Sequence, residues 1–206
     1  MTHQSPMTRV DLLNYLVERF GYLRYLEIGV ADESACFSRV RCRHKTGVDP
    51  ERGGTHRMTS DAFFAQVAGT WDLIFIDGLH ECSQVHRDIE HAVERLAPNG
   101  SIVMHDCNPE REEEASYPPS VNLSRGVWNG DAWKALAYWR TRMEVDSACG
   151  DFDWGCGVIR IRANTDPWPV GSSWQHDLRR LSWADLVAHR RQLLRLMTFN
   201  ELKEWL

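Results

Sequence analysis

Two spacings of apolar residues alternate along this chain, and each spacing predicts a different secondary structure. Apolar residues recur every three or four positions in three segments, which predicts helices at residues 10–20, 63–67 and 82–96. Short apolar runs lie between these segments and predict strands at residues 25–30, 45–48, 57–59, 73–76 and 101–104. Strands that alternate with helices are typical of a parallel sheet covered by helices on both faces.

The second half of the chain departs from this alternation. Residues 107–127 are polar and include an acidic run and two consecutive prolines, which predicts a long loop before a helix at residues 133–139. Residues 143–149 and 157–162 predict an antiparallel hairpin at one edge of the sheet. A linker-like stretch at residues 168–173 then precedes two short predicted helices within residues 182–206, separated near Thr198.

Together these elements predict an α/β fold. We expect a Rossmann-like, doubly wound and mostly parallel sheet of seven strands with an antiparallel edge hairpin, plus C-terminal helices. Residues 1–162 are predicted to form the domain itself, and residues 163–206 a linker and helical extension packed on that same domain. A length of 206 residues suits one such domain better than two.

Composition argues against several classes of protein. Apolar residues make up 43% of the chain, yet no apolar run approaches the roughly 20 residues of a membrane-spanning helix, so we expect no membrane association. The N-terminus lacks the pattern of a secretory signal, which makes the cytoplasm the expected location. The six cysteines are scattered, as in a protein whose thiols stay reduced. A formal net charge of −5 argues against nucleic acid as a partner.

Acidic and histidine side chains follow two of the predicted strands at the point where each strand ends. Asp77 and His80 follow one strand, and His105 and Asp106 follow the next. Because ligands of open α/β sheets bind outside the carboxyl ends of the strands, we expect these four side chains to face a common cleft. Two carboxylates and two imidazoles in a cleft provide the material for a metal site or for an acid/base pair.

A second set of candidate binding residues lies at the ends of the first two strands. Glu27 and Gly29 end the first strand, and Asp49 ends the second, where an acid accepts hydrogen bonds from a ribose diol. The turn after Gly29 contains no further glycine through Asp32, whereas a dinucleotide pyrophosphate needs three glycines to approach the backbone. An oxidoreductase with a nicotinamide cofactor is therefore the weaker alternative.

These motifs resemble those of class I S-adenosylmethionine-dependent methyltransferases, in the branch of macrocin-type and related sugar or natural-product O-methyltransferases. The resemblance covers roughly residues 8–162. The matching segments are the acid-x-glycine motif at 27–29, the ribose acid Asp49, the adenine-lining segment at 60–64, and the strand-end motifs at 75–80 and 105–109.

The resemblance implies which residues bind the cofactor. S-adenosylmethionine is expected to contact seven residues, namely Glu27, Gly29, Val30, Asp49, Ser60, Asp61 and Asp77. The chain departs from the family pattern at Ala31, where the family often has a glycine.

Methyl transfer to a hydroxyl requires that the acceptor lose a proton, and the sequence leaves two arrangements open. In the first, a divalent cation such as Mg²⁺ is held by Asp77 and Asp106, with His105 as the remaining candidate ligand. In the second, the site is free of metal, and His80 or His105 acts as the general base beside Asp77.

The expected function is O-methylation of a small polar acceptor, such as a sugar or a glycosylated natural product. A catalytically silent module of the same fold, which binds a partner instead, is a further alternative. The apolar C-terminal helices could pack on their own sheet or on a second subunit of a homo-oligomer.

Overall fold

The computed structural model describes residues 7–167 and 180–206. The strands are β1 (Arg24–Ile28), β2 (His44–Val48), β3 (Trp71–Ile76), β4 (Leu96–Met104), β5 (Val145–Gly150), β6 (Cys156–Ile161) and β7 (Leu196–Met197). The α-helices are α1 (Arg9–Phe20), α2 (Ser60–Gln66), α3 (Cys82–Arg95), α4 (Trp133–Trp139), α5 (Trp183–Leu194) and α6 (Phe199–Trp205). The linker-like stretch at 168–173 lies outside the described residues.

All seven strands form one sheet in the order β2-β1-β3-β4-β6-β5-β7. Strands β1 to β4 are parallel, whereas β6 is antiparallel to both β4 and β5. The predicted fold class is therefore confirmed, including the antiparallel hairpin, which is formed by β5 and β6. The carboxyl ends of β1 to β4 lie at the same edge of the sheet, where a ligand is expected.

The predicted number of strands, seven, is correct, but one predicted strand is absent and one observed strand was not predicted. Residues 57–59 form no strand, because the chain makes only an isolated bridge between His56 and Val48 before Thr59 accepts a hydrogen bond from Ala62 N and caps α2. The seventh strand is instead β7, which follows α5 and pairs in parallel with the end of β5.

Helices cover both faces of the sheet, as successive residues of β3 show. Leu73 and Phe75 are fully buried on the face covered by α1 and α6. Ile74 and Ile76 are buried on the other face with residues of α2, α3, α4 and α5. Residues 73–76 of this strand are all apolar, as expected of a segment that is covered on both faces.

The two C-terminal helices pack on their own domain. Leu186, Leu193 and Leu194 of α5 are at most 1% exposed and lie in the core above one face of the sheet. Leu202 of α6 is fully buried in the core of the opposite face. Within the described part of the chain, no helix combines the length and apolar character needed to cross a membrane.

Candidate active site

A cavity of about 470 Å³ opens at the carboxyl ends of β1, β2 and β3. Its volume lies within the roughly 300–1,000 Å³ typical of small-molecule sites. Five of the seven residues predicted to bind a cofactor line it, namely Gly29, Asp49, Ser60, Asp61 and Asp77. Other lining residues include Ala31, Leu79, Gln84 and Asp88.

The structure places the other two predicted cofactor residues outside the cavity lining. Val30 is 4% exposed and belongs to the apolar core on the α1 face of the sheet. Glu27 is 1% exposed, and its carboxylate accepts a hydrogen bond of 2.5 Å from the Tyr25 hydroxyl. Burial raises the pKa of Glu27 to about 7, although the hydrogen bond from Tyr25 opposes this shift.

Gly29 is required where the first strand turns toward the cavity. Its φ of +87° lies in the region that favours glycine, and a Cβ there would be 2.2 Å from the carbonyl oxygen of Asp77. The backbones that carry Gly29 and Asp77 are therefore in direct contact. This close approach places Asp77 on the wall of the cavity.

Backbone donors hold Asp49 at the end of β2. One carboxylate oxygen accepts hydrogen bonds from the amides of Glu51 and Arg52 at 2.8 and 2.9 Å, and the other accepts from Ala31 N at 3.0 Å. Burial alone would raise the pKa of Asp49, but these amides outweigh it and lower the pKa. A carboxylate offers about four acceptor positions, so Asp49 can still accept a bond from a ligand hydroxyl.

The four acidic and histidine side chains from the ends of β3 and β4 lie together. Asp77, His80 and Asp106 each place one ligand atom within 4.8 Å of the others. His80 Nε2 is 3.6 Å from Asp77 Oδ1 and 3.3 Å from Asp106 Oδ2. His105 Nδ1 is 3.4 and 3.1 Å from the same two oxygens. We call these four residues the carboxylate-histidine cluster.

Opposite charges within the carboxylate-histidine cluster stabilise one another. Burial would lower the pKa values of both histidines, but the carboxylates of Asp77 and Asp106 raise them, that of His105 well above its usual range. Burial would likewise raise the pKa of Asp77, but His105 and the other surrounding donors lower it. The carboxylates and the imidazoles of the cluster thus stabilise each other's charged forms.

Four residues that the sequence-based prediction missed surround this cluster. Arg9 Nη1 is 3.1 Å from His105 Nε2 and 3.3 Å from Asp153 Oδ2. Asn129, which is fully buried, donates a hydrogen bond of 2.5 Å to Asp106 Oδ1. The ring of Trp128 stacks on His80 with centroids 5.0 Å apart. No sequence motif marks Arg9 as a site residue, because its role depends on contacts with residues that are far away in the sequence.

The donor set of the cluster fits a divalent cation. Two carboxylates and an imidazole within 4.8 Å of one another are ligands that such ions accept. His105 also belongs to a second group, with Asp153 and Cys156, but that group offers only one carboxylate, and burial raises the pKa of its thiol. The group of Asp77, His80 and Asp106 is therefore the better candidate metal site.

The buried carboxyl of Glu27 makes stability depend on pH. Its pKa in the folded protein, about 7, exceeds its ordinary value of 4.5, so the folded state holds a proton that the unfolded state releases. This contribution to stability is present below pH 4.5 and is lost as the pH rises through about 7. We expect Glu27→Gln, which is neutral at every pH, to match the wild type near pH 5 and to exceed its unfolding free energy near pH 8 by about 3 kcal/mol.

Urea unfolding of both proteins between pH 5 and pH 8 measures this difference. Glu18→Gln, which removes an exposed carboxylate, is the matched control and should leave the pH dependence of the wild type unchanged. Parallel stability curves for the wild type and Glu27→Gln would contradict the assignment of a protonated Glu27 in the folded state.

The parallel sheet with its antiparallel edge hairpin and the cavity at the carboxyl ends of the strands are features of a Rossmann-like fold. Residues 27–107 match a family model described as a methyltransferase domain. This segment begins at the end of β1 and ends just after Asp106, so it includes both the cavity and the carboxylate-histidine cluster. The chain is therefore similar to methyltransferases over the segment that forms the candidate site.

Solved structures share this fold at low sequence identity. A protein from Klebsiella pneumoniae proposed to be an O-methyltransferase is 14% identical, with a TM-score of 0.55 over 79% of this chain and 84% of that chain. The Podospora anserina methyltransferase PaMTH1, solved with SAH bound, is 16% identical, with a TM-score of 0.52 over 75% and 78%. TomG of Streptomyces achromogenes, an O-methyltransferase of tomaymycin synthesis solved with SAM, is 13% identical, with a TM-score of 0.50 over 74% and 78%. The search of curated proteins found no match.

Proposed function

We propose that this protein is an S-adenosylmethionine-dependent O-methyltransferase that methylates a hydroxyl group of a small polar acceptor. The observation that carries the proposal is the position of Asp77, which lines the nucleoside-sized cavity and also belongs to the carboxylate-histidine cluster. A methyl donor in the cavity and an acceptor hydroxyl at the cluster would thus meet beside one side chain. The SAH and SAM in the PaMTH1 and TomG structures support this choice of cofactor.

Holding the two reactants together is the main task of such a site. S-adenosylmethionine, when bound, supplies a methyl group on a positively charged sulfur, and in-line attack by an oxygen needs near-attack distance more than covalent assistance. Asp49 would accept hydrogen bonds from the ribose hydroxyls. Ser60 and Asp61, at the start of α2, would contact the nucleobase end of the donor.

A divalent cation held by Asp77 and Asp106, with an imidazole of the cluster, would lower the pKa of an acceptor hydroxyl. The surrounding residues keep the ligands in place. Asn129 holds one oxygen of Asp106 by a hydrogen bond, which leaves the other oxygen directed at His80 and His105. Trp128 covers one face of the His80 ring. The acceptor class we favour, a sugar or a glycosylated natural product, rests on the resemblance of the strand-end motifs.

A metal-free reaction is the second candidate, with His80 as the general base, because the Trp128 carbonyl fixes the orientation of its ring. His80 Nδ1 lies 3.3 Å from the carbonyl oxygen of Trp128, so this nitrogen donates. In the neutral ring, Nε2 would then carry the free electron pair. This nitrogen lies on the side of Asp77 and Asp106, where the hydroxyl group of the substrate would bind. Such a histidine could take the proton directly.

Chelation separates the two candidates. The protein is dialysed against EDTA, and formation of S-adenosylhomocysteine is measured with a panel of sugars, glycosides and catechols. If a cation is required, turnover falls by about 100-fold or more and returns with added Mg²⁺ or Mn²⁺. Unchanged turnover after chelation would overturn the role of the metal. Failure to bind S-adenosylmethionine in calorimetry would overturn the proposed function as a whole.

Substitution of Asp49 is expected to weaken cofactor binding. Asp49→Ala removes the acceptor for the ribose hydroxyls, and we expect S-adenosylmethionine to bind at least about tenfold more weakly. Calorimetric titration measures the affinity. Asp49 also accepts hydrogen bonds from loop amides, so the unfolding free energy of the variant is measured in parallel to show whether the loss of these bonds destabilises the fold. Asp185→Asn, a surface carboxylate at the start of α5, is the control. Equal affinities for the wild type and Asp49→Ala would contradict the assignment.

A further inference from the structure

A second cavity, of about 800 Å³, lies at the opposite edge of the sheet from the candidate active site. It is formed where α1 turns into β1, at the amino ends of β1 and β3 and beside the carboxyl end of the antiparallel strand β6. The residues used below are Phe20, Tyr22, Arg24, Asp72 and Arg160, all of which line it. We call this cavity the lower groove.

Arg160 is the central residue of the lower groove. It is only 9% exposed, and its guanidinium group lies 4.5 Å from the centre of the Phe20 ring. Nη1 donates hydrogen bonds to the Tyr22 hydroxyl and to Ser101 Oγ, each at 2.8 Å. These two bonds use both hydrogens of Nη1. The ring and the two hydroxyls thus hold the guanidinium group in one orientation.

The remaining donors of Arg160 have no partner in the described part of the chain. Among those residues, the Arg160 side chain makes hydrogen bonds only through Nη1, and it forms no ion pair with a carboxylate. The Nε–Nη2 edge of a guanidinium group carries two parallel N–H donors, which match two oxygens of a carboxylate or phosphate group. A buried cation without an opposite charge is costly, which favours an anionic ligand.

The acidic side chain of the lower groove does not neutralise Arg160. Asp72 accepts hydrogen bonds from the backbone amides of Leu23 and Arg24 at 3.0 and 2.9 Å. Its other oxygen pairs with the Arg24 guanidinium group at 2.7 Å. Asp72 and Arg24 therefore neutralise each other, and the positive charge of Arg160 is not neutralised by Asp72.

We propose that the lower groove binds a small oxyanion, a carboxylate or a phosphate group, through the Nε–Nη2 edge of Arg160. The face of the Phe20 ring positions the guanidinium group. Tyr22 and Ser101 accept both hydrogens of Nη1, so only the Nε–Nη2 edge is available to a ligand. Because the groove lies at the amino ends of the strands, the anion binds without displacing a ligand from the cavity at their carboxyl ends.

Titration of the full-length protein with inorganic phosphate and, separately, with acetate tests this site. Arginine Nε–H resonances are observed by ¹H–¹⁵N NMR, and affinities are measured by calorimetry at constant ionic strength. We expect one Nε–H resonance, absent from Arg160→Gln, to shift saturably. The tighter of the two probes identifies the group as phosphate or carboxylate.

Variants complete the test. Arg160→Gln should weaken binding by about tenfold or more, since a charge-assisted bidentate contact is lost. Arg160→Lys keeps the charge but not the fork and should also bind more weakly, which covers the case in which Arg160→Gln does not fold. Arg41→Gln, which removes an exposed arginine paired with Glu18, should bind as the wild type does. Absence of saturable binding, or equal affinity in the wild type and both Arg160 variants, would overturn the proposal.

Discussion

Asp77→Asn is expected to reduce methyl transfer by at least about 100-fold. Asp77 lines the cavity proposed for the methyl donor, and its carboxylate faces both His80 and His105. An amide at this position loses the negative charge that a cation or an imidazolium group requires. The measurement is the rate of S-adenosylhomocysteine formation at saturating cofactor, with the acceptor that the wild type uses best.

The same substitution also changes stability, so activity must be compared at equal amounts of folded protein. Asp77 contacts Arg9 as well as the two histidines, and removal of one partner from a buried ionic network is destabilising by about 3–5 kcal/mol. Glu94→Gln, which removes an exposed carboxylate near the end of α3, should keep full activity and stability within about 0.5 kcal/mol of the wild type. Folded Asp77→Asn with wild-type turnover would exclude Asp77 from the reaction.

Gly29→Ala is expected to destabilise the fold strongly. The added Cβ would lie 2.2 Å from the backbone oxygen of Asp77, and the residue would keep a φ of +87° that alanine disfavours. Because the obstacle is backbone and not a flexible side chain, β1 and β3 must separate at the cavity. We expect a loss of about 3 kcal/mol or more in unfolding free energy, measured by urea unfolding.

Gly21→Ala provides a matched control for this prediction. Gly21 ends α1 with a similar φ of +66°, but a Cβ there would meet nothing within 4 Å. This variant should therefore lose only about 1 kcal/mol of unfolding free energy, the cost of holding alanine in the left-handed conformation. If the two variants lost equal stability, the close contact between Gly29 and Asp77 would not be what makes glycine necessary.

The sequence predicted the fold well where a local pattern reports burial on both faces. Residues 73–76 of β3 are such a case, because successive residues of a strand segment covered on both faces are all apolar. Strand β7 could not be predicted in this way, because it is two residues long and only partly buried. The apolar residues around it fit the helical spacing of the two helices on either side. At residues 57–59, the capping of α2 by Thr59 outweighed the tendency to form a strand.

For the candidate site, the position of residues next to strand ends could be predicted from the sequence, whereas the position of residues that come from elsewhere could not. Asp77 and Asp106 follow their strands directly, so the topology alone places them at one edge of the sheet. Arg9 contacts His105 across 96 positions of sequence and Asp153 across 144. No periodicity or motif reports contacts of this kind, because tertiary packing alone creates them.

The late position of β7 and α6 in the chain affects how the domain is completed on the ribosome. β7 pairs with the last two residues of β5, and Phe199 of α6 packs edge-to-face on Tyr15 of α1, with centroids 5.6 Å apart. A nascent chain that ends before residue 196 therefore leaves a strand edge and part of the first helix uncovered. Such surfaces are prone to pairing with other chains, so during translation this domain is vulnerable to aggregation until its last elements emerge.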